Sequence, residues 1–284
     1  MAAVAVLTVG IGEALAAQPT PWAITFQEAA TRIMAQIGWF ERFTYYIMLG
    51  IVLFVLALMI YVCVRFSEKK NPNPSKTSHN VPIEVAWTVI PMIILVVIAV
   101  PSFRLLSDEM TLPEADLTIK ATGYQWYWGY EYPDHGGFDF LQIMLQDDER
   151  LALIEETGGT EADFPRLLAV DNVAVVPVDS NVRLIVTAAD VIHNYAMPAF
   201  GLKMDAVPGR LNETWFRAER EGIYYGQCSE LCGRDHAFMP VAIRVVSQEQ
   251  FNSWVEVAAN DIGDANEMLA QMLREADDTE LAAR

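Results

Sequence analysis

The chain has 284 residues, 53% of them hydrophobic, and a formal net charge of −18 at pH 7. A charge of this sign and size excludes long-range attraction to nucleic acid or to anionic lipid, and it favours a basic partner. Because the chain has only three cysteines and four histidines, any cluster of these side chains is informative.

The first 17 residues are apolar and end in small side chains, a pattern typical of a signal-peptide cleavage region. No Lys or Arg precedes Arg32, so the basic stretch that usually opens a signal peptide is missing. The sequence predicts that residues 1–17 are a signal-peptide remnant cleaved before Gln18, and the alternative is a start position assigned too far along the chain. Residues 18–40 are expected to form a short segment on the outer face of a membrane.

Two long apolar runs follow, Tyr45–Val64 and Val85–Phe103, and neither contains a charged side chain. Each run has about the 20 residues that a helix needs to cross a bilayer. We therefore predict transmembrane helices at about 43–65 and 85–104, which complete a membrane region over residues 18–104.

The loop between the two runs is basic. Its Lys and Arg side chains are Arg65, Lys69, Lys70 and Lys76. Because short positively charged loops stay on the cytoplasmic side, both chain termini are expected on the outer face. The membrane is then the bacterial inner (cytoplasmic) membrane, or the mitochondrial inner membrane if the chain is eukaryotic.

Residues 105–250 have the pattern of an all-β domain. Apolar and polar residues alternate over Leu117–Thr122, and the aromatic segment Gly123–Tyr132 follows directly. Further short strand patterns recur up to residue 246 between Gly, Pro and Asp turns, which predicts a β-sandwich or barrel. An acidic, helix-prone insert at about 145–163 interrupts these strands.

The tail, residues 251–284, is acidic and has the pattern of a helix. Phe251, Trp254 and Val255 lie on one apolar face of that helix.

The segment Cys228–Met239 is the most specific motif in the chain. It holds two thiols, the imidazole of His236 and the thioether of Met239 within twelve residues, and a second histidine, His193, lies upstream. Thiolate, thioether and imidazole together are the ligand set of redox-active copper. Two thiolates this close in the chain can bridge two copper ions, so the sequence favours a dinuclear copper centre that transfers electrons.

Three simpler sites remain open at this stage. Two cysteines and two histidines can bind zinc, but zinc leaves Met239 unexplained. Cys228 and Cys232 can form a disulfide in an oxidising compartment, but both histidines would then be idle. A mononuclear copper site uses two histidines, one cysteine and a weak axial methionine, and here there is one cysteine too many.

With these motifs in place, the chain resembles subunit II of the haem–copper cytochrome c oxidases over roughly residues 40–260. The resemblance is carried by the segments Glu84–Thr88, Gln125–Trp128, Gly201–Arg210 and Cys228–Met239. It implies a membrane-anchored all-β fold, in which a two-helix transmembrane hairpin precedes a cupredoxin-like Greek-key sandwich over residues 105–250. The tail has no Cys-x-x-Cys-His motif, so the resemblance is to the two-span type without a fused cytochrome c domain, and the electron donor is a separate protein.

The resemblance also implies a ligand set for the dinuclear copper centre CuA. Its members are His193, Cys228, Glu230 through its backbone carbonyl, Cys232, His236 and Met239. The side chain of Glu230 would in addition bind magnesium, or manganese, at the contact with subunit I, and the alternative is a solvated loop acid. Tyr195 stands where the family usually has tryptophan, which changes the packing near copper without removing a ligand.

Two further roles follow from the same resemblance. Trp126 matches the tryptophan at which the electron enters from cytochrome c, although tryptophan in a strand is also ordinary packing. Glu84 would lie at the cytoplasmic mouth of a proton path into subunit I, and the alternative is a boundary residue facing headgroups.

Four acidic residues match family positions that dock cytochrome c. They are Glu131, Asp171, Asp190 and Asp205. A fifth family position, next to Asp190, is occupied by Ala189 here, which weakens the match of the docking surface.

The resemblance implies the subunit through which electrons reach a respiratory oxidase. Cytochrome c would deliver electrons to CuA, and these would pass to haem in subunit I, where oxygen is reduced to water with proton pumping. Other readings are the electron-transfer site of a nitrous oxide reductase, a quinol-oxidase-type subunit that has lost copper, and a metallochaperone. The chain lacks the histidine-rich catalytic domain of the first, and its intact Cys and His ligands argue against the second. A large enclosing ligand set argues against the third, because a metallochaperone must release copper easily.

Overall fold

In the computed structural model of the protein, the described residues are 19–20 and 22–282, with side chains described as far as residue 276. The predicted cleavage before Gln18 lies outside them. Two long helices come first, α1 (Arg32–Arg65) and α2 (Val81–Met110). Their apolar side chains are exposed over most of their length, as expected of helices that face lipid. Ala35–Met110 form one compact unit, and the remaining described residues form the other.

Both helices are longer than the apolar runs that predicted them. The added turns carry polar side chains, and Gln36 near the start of α1 donates a hydrogen bond to Asp108 near the end of α2, at 3.2 Å. Charged and polar residues of this kind are acceptable helix formers in water but costly in hydrocarbon. Hydropathy therefore marks the span that crosses the bilayer, whereas the helices themselves continue beyond it.

The second unit contains two five-stranded sheets. In chain order, its strands are β1 (Leu117–Tyr124), β2 (Tyr127–Tyr132), β3 (Phe138–Gln142), β4 (Ala174–Pro177), β5 (Val182–Ala188), β6 (His193–Met197), β7 (Leu202–Ala206), β8 (Asn212–Phe216), β9 (Gly222–Cys228) and β10 (Pro240–Val246). The strand orders are β3-β2-β1-β5-β8 and β4-β10-β9-β6-β7. The predicted fold class, a two-helix hairpin followed by a sandwich, is confirmed.

Alternating side chains of the strands fill the space between the sheets. In β1 and β5 every second residue is buried, and the two strands pair in parallel from Leu117 with Val182 to Gly123 with Ala188. This is the period of two expected of strands with one face on a core. Because β1 and β5 run in the same direction, the turn after β1 and the loop after β5 meet at one end of the sandwich.

The strands that lead to the cysteines approach each other very closely. A Cβ added to Gly226 in β9 would lie 1.8 Å from the carbonyl oxygen of Ala196 in β6. Only glycine fits at this position, and its absence of a side chain allows β6 and β9 to pair Tyr195 with Cys228. His193, at the start of β6, is thereby held beside Cys228.

The insert and the tail are helical. The insert contains α3 (Asp147–Thr157), and the tail contains α4 (Gln248–Ala258) and α5 (Ile262–Ala282). Ser247 precedes α4 and caps it in a capping box. Its hydroxyl oxygen accepts from the amide of Gln250, and the side chain of Gln250 accepts from the amide of Ser247.

The apolar face of α4 packs on the sandwich. Phe251, Trp254 and Val255 are all buried, and the ring of Trp254 lies 5.4 Å from that of Tyr132. The tail is therefore part of the folded domain.

Candidate metal centre

Three segments bring the predicted metal ligands to one end of the sandwich. His193 is the first residue of β6, Cys228 is the last residue of β9, and the other predicted ligands lie in the loop that leads into β10. The loop is held to the strands by backbone hydrogen bonds from Ser229 to Asn194 and from Cys228 to Met239. Residues that are far apart in the chain therefore meet because of the strand pairing.

Two of the six predicted donor atoms are the Sγ atoms of Cys228 and Cys232, and the other four lie close to them. The Sγ atoms of Cys228 and Cys232 are 3.9 Å apart. Nδ1 of His193 lies 4.0 Å from Sγ of Cys228, and Nδ1 of His236 lies 3.5 Å from Sγ of Cys232. The Sδ atom of Met239 is 3.6 Å from Sγ of Cys232, and the Cys228 thiol donates to the carbonyl oxygen of Glu230 at 3.3 Å. Each cysteine thus has its own histidine.

Burial and charge give the two thiols different acidities. Burial raises the pKa of the Cys228 thiol, but hydrogen bonds from His193 and from neighbouring backbone outweigh it and lower the pKa to about 7. For Cys232, burial and the adjacent Cys228 sulfur both raise the pKa above its usual value. His193 and Met239 are fully buried beside them, so water has little access to this end of the cluster.

Asp190 orients the first histidine. Its Oδ1 lies 2.9 Å from Nε2 of His193, and its Oδ2 accepts a hydrogen bond from the backbone amide of Gln125 at 2.8 Å. A carboxylate on one ring nitrogen leaves the other nitrogen, Nδ1, turned toward the sulfur atoms. The Asp190 carboxylate therefore joins the turn after β1 to the metal cluster.

The turn after β1 leaves space for the imidazole. A Cβ added to Gly123 would lie 2.8 Å from Cδ2 of His193. Because real Cβ atoms do not approach so closely, any other residue at this position would displace the ring.

Trp126 lies in that turn, half-buried, at the edge of the metal loop. Its Nε1 donates to the carbonyl oxygen of Cys232 at 3.3 Å, and the side chain of Gln125 donates to the same oxygen at 2.9 Å. The indole is thus one hydrogen bond away from a predicted bridging ligand.

An aromatic cluster lies between the metal ligands and the centre of the sandwich. The ring of Trp128 is 6.0 Å from His193 and 5.1 Å from Tyr195, and both contacts are edge-to-face. The hydroxyl groups of Tyr195 and Tyr130 are 3.1 Å apart, and Tyr130 donates to Gln142 at 3.3 Å. The hydroxyl group of Tyr195 therefore adds a buried hydrogen bond between the two sheets.

Gln142 connects this cluster to both sheets and to the tail. Its side chain accepts from the amide of Ala242 in β10 and donates to the carbonyl oxygens of Ala242 and Asn172. Asn172 in turn accepts a hydrogen bond from Asn266 of α5 at 3.0 Å. A chain of hydrogen bonds thus runs from the tail to the strand that begins with His193.

Two of the four predicted docking acids lie beside the metal loop. Asp190 contacts His193, and Asp205 of β7 accepts a hydrogen bond from the side chain of Asn194 at 2.7 Å. Both carboxylates therefore have an internal partner as well as an accessible edge.

The other two docking acids lie elsewhere, Glu131 in β2 and Asp171 in the loop before β4. Glu131 is near the far end of β2 from Trp126 and forms an ion pair with Lys120 at 2.7 Å. Asp171 accepts a hydrogen bond from the backbone amide of Ile143 at 2.7 Å, and burial raises the pKa of its carboxyl group.

The side chain of Glu230 is exposed on the metal loop, while its carbonyl oxygen turns inward to Cys228. Glu84 lies in the first turn of α2, in the other unit, where its Oε1 accepts a hydrogen bond from the amide of Asn80 at 3.1 Å. Asn80 caps the helix by accepting from the amide of Ile83, and the Glu84 side chain returns a bond to the amide of Asn80.

Sequence reasoning missed several residues that support the site. The roles of Gln125, Gln142 and Gly123 had no signal in the sequence, because each depends on strands that pair across the sandwich. The role of Asp190 had a signal in the sequence, because an acid three residues before a ligand histidine can reach the ring nitrogen that does not face the metal.

Comparison with known proteins adds the family. Residues 117–246 match the family described as cytochrome c oxidase subunit II, periplasmic domain, and residues 19–105 match cytochrome c oxidase subunit II, transmembrane domain. The probable cytochrome c oxidase subunit 2 of Rickettsia bellii is 52% identical over 249 residues, which cover 86% of this chain and 89% of the relative. Cytochrome c oxidase subunit 2 of Cereibacter sphaeroides is 47% identical, with 85% and 82% covered.

A solved structure is also similar. The periplasmic domain of subunit II of cytochrome oxidase from Bradyrhizobium japonicum is 56% identical, covers 54% of this chain and 99% of that chain, and has a TM-score of 0.47. The two family matches between them include the hairpin and the sandwich. The chain belongs to the family of cytochrome c oxidase subunit II, whose members are parts of a haem–copper oxidoreductase.

Proposed function

We propose that the chain is the electron-accepting subunit of a respiratory cytochrome c oxidase. In this function it receives electrons from cytochrome c at a dinuclear copper centre, CuA, and passes them to haem in subunit I, where oxygen is reduced to water with proton pumping. The observation that carries the proposal is the gathering of four further donor atoms around the Sγ atoms of Cys228 and Cys232, which are 3.9 Å apart.

The donor set fits copper better than zinc. Two thiolates, two imidazoles, a thioether and a carbonyl oxygen are soft or intermediate donors, and a buried thioether is typical of copper sites. His193, Cys228, Cys232, His236, Met239 and the carbonyl group of Glu230 would hold the two ions. Copper bound by these residues supplies a one-electron couple.

The protein's own residues provide an ordered and dry site. His193 and Met239 are fully buried, and Asp190 fixes the orientation of the His193 ring. His193 and Cys228 lie in paired strands, and backbone hydrogen bonds hold the loop with the other ligands to these strands. Ligands held in this way have little freedom to move, and small rearrangement favours fast electron transfer. Trp126 gives a short connection from the protein surface to the carbonyl oxygen of Cys232.

The remaining roles follow from the family. We assign the exposed side chain of Glu230 to magnesium or manganese at the contact with subunit I, since carboxylate oxygen suits a hard cation. Glu84 is assigned to the mouth of a proton path, and the cytochrome c docking surface to Asp190 and Asp205, with Glu131 and Asp171 further away. The basic loop after α1 supports placement of the sandwich on the periplasmic or intermembrane-space face.

Copper analysis of the purified oxidase tests the proposal. We expect two copper ions per copy of this chain beyond the copper of subunit I, and a mixed-valence dinuclear signal in electron paramagnetic resonance. Cys228→Ser should remove that signal. Zinc, or a single copper ion, between the two cysteines would overturn the assignment.

The route of the electron is tested separately. Trp126→Phe should slow electron transfer from cytochrome c by at least an order of magnitude while the copper signal remains. An unchanged rate would show that the electron enters elsewhere.

A further inference from the structure

Arg234 lies on the ring of Trp126. Its guanidinium carbon is 5.3 Å from the centre of the indole ring. The side chain of Arg234 is 80% exposed, and in the described part of the chain its only ion-pair partner is Asp235. A positive charge at the point where a basic donor is expected to bind is contrary to simple electrostatic attraction.

The position of the guanidinium group is defined by more than one contact. Nε of Arg234 lies 3.1 Å from both carboxylate oxygens of Asp235, and Nη2 donates to Oδ2 at 2.8 Å. A planar guanidinium that is held in this way by a carboxylate can present its flat face to an aromatic ring.

The metal loop contacts Trp126 at three consecutive residues. The carbonyl oxygen of Cys232 accepts the indole hydrogen bond, and Gly233 leaves the edge of the ring uncovered, since a Cβ there would lie 3.0 Å from Cζ2. Arg234 then covers the ring. The two residues that flank Gln125 and Trp126 in the turn, Tyr124 and Tyr127, stack their rings 4.8 Å apart.

We propose that Arg234 is a positioning residue for electron transfer, which holds the Trp126 indole in contact with the metal loop through the Asp235-anchored guanidinium. The inference rests on the proposed function and names a residue that affects the rate of electron transfer through Trp126. The indole packs against the core of the sandwich on one side and has one hydrogen bond of 3.3 Å, and the cation over its ring adds a further restraint on its orientation. Tunnelling depends steeply on distance and orientation, so a less ordered indole transfers electrons more slowly.

An Arg234→Gln variant should change two quantities in opposite directions, with tighter binding of cytochrome c and slower electron transfer within the bound complex. Loss of the positive charge leaves Asp235 unpaired and makes the surface more negative, so a basic cytochrome binds more tightly. Loss of the stacked guanidinium releases the indole, so transfer within the bound complex is slower. Stacking at an exposed site has the strength to change the rate by roughly two- to fivefold.

The experiment measures both quantities on the purified oxidase with a ruthenium-labelled basic cytochrome c as the probe. Flash photolysis at low ionic strength gives the transfer rate within the complex, and a titration gives the dissociation constant. For Arg234→Gln we expect a rate about two- to fivefold lower, a smaller dissociation constant and an unchanged copper signal. Arg234→Lys keeps the charge, so its dissociation constant should equal that of the unmodified protein while its rate lies between the two.

Arg217→Gln is the matched control. Arg217 is also exposed and paired with an aspartate, Asp179, but it follows Phe216 at the opposite end of the sandwich from the metal loop. The Arg217→Gln substitution removes the same charge and should leave the electron-transfer rate within the complex unchanged. An Arg234→Gln rate equal to or above that of the unmodified protein, with the copper signal intact, overturns the inference.

The Trp126→Phe variant separates this inference from the proposed function. If Trp126→Phe abolishes rapid transfer and Arg234→Gln does not slow it, only the role of Arg234 is wrong. If Trp126→Phe transfers at the normal rate, the proposed route of the electron is wrong, and the role of Arg234 falls with it.

Discussion

At the scale of single residues, the site depends as much on small side chains and outer-sphere contacts as on the ligands. The Cys228–Met239 motif and His193 indicated a metal centre from residue type and spacing, and the full ligand set is implied by the family resemblance and stays a prediction. It could not predict Gly123 or Gln125, which meet the site only through the turn between β1 and β2. These residues are visible only when both sheets are in place.

Gly123→Ala should disturb copper binding without unfolding the domain. The new Cβ would lie 2.8 Å from Cδ2 of His193, so the imidazole must rotate away from Cys228. We expect loss or broadening of the copper signal, measured by electron paramagnetic resonance on the purified oxidase. Ser229→Ala is the control, because it changes an exposed side chain of the metal loop and should leave the signal intact. Gly136→Ala is unsuitable as a control, because Gly136 has a left-handed backbone conformation that alanine adopts only with strain.

The two thiols should react at different pH values in the metal-free chain. A thiolate is the reactive form, and its fraction increases as pH rises through the pKa. Because the pKa of Cys228 is lowered to about 7 and that of Cys232 is raised, alkylation of Cys228 should reach half its maximal rate near pH 7. Peptide mass spectrometry after iodoacetamide pulses at several pH values checks this, with Cys63→Ser as the background. Equal pH profiles for the two cysteines would contradict it.

At the scale of elements, periodicity predicted the strands and the two membrane spans, because alternation and long apolar runs are direct consequences of burial. It was less informative about where elements end. α1 begins at Arg32, before the apolar run, because helix hydrogen bonding continues into polar residues once a span is formed. The pairing order of the strands was also out of reach, since it depends on contacts between residues far apart in the chain.

The tail helix α4 should contribute strongly to domain stability. Trp254 has no exposed surface and packs against Tyr132, Phe138 and Phe251. Trp254→Ala should destabilise the domain by about 3–5 kcal/mol, as large-to-small changes of buried aromatic residues do. Thermal unfolding of the detergent-solubilised chain measures this, and Leu211→Ala, at an exposed position, should change stability by less than about 0.5 kcal/mol. Equal effects of the two substitutions would show that the tail is not packed as described.

At the scale of the whole molecule, charge and hydropathy are separated along the chain. Residues 1–104 carry more basic than acidic side chains, so the negative excess lies in the sandwich and its tail. This division was predictable from composition alone. The internal partners of single acids were not, because the pairing of Glu131 with Lys120 and of Asp171 with the amide of Ile143 depends on the folded arrangement of the strands.

Oxidation of a basic cytochrome c by the oxidase should slow as ionic strength rises. The acidic sandwich attracts the donor over long distances, and salt screens this attraction beyond about 8–10 Å at physiological concentrations. Second-order rate constants measured by stopped flow from about 10 mM to 200 mM salt check the expectation. A rate independent of salt would mean that apolar contact alone brings the donor to the site.

The hydrogen-bond chain through Gln142 has a consequence for the tail. Asn266 of α5 is joined to Asn172, then to Gln142, Tyr130 and Tyr195, whose strand begins with His193. Proteolytic removal of the last two helices would leave Asn172 without this partner and uncover the ring of Tyr132. Cleavage at a surface remote from the proposed copper centre would then loosen the aromatic side chains that support His193. We therefore expect the amount of copper retained to depend on whether these two helices are present.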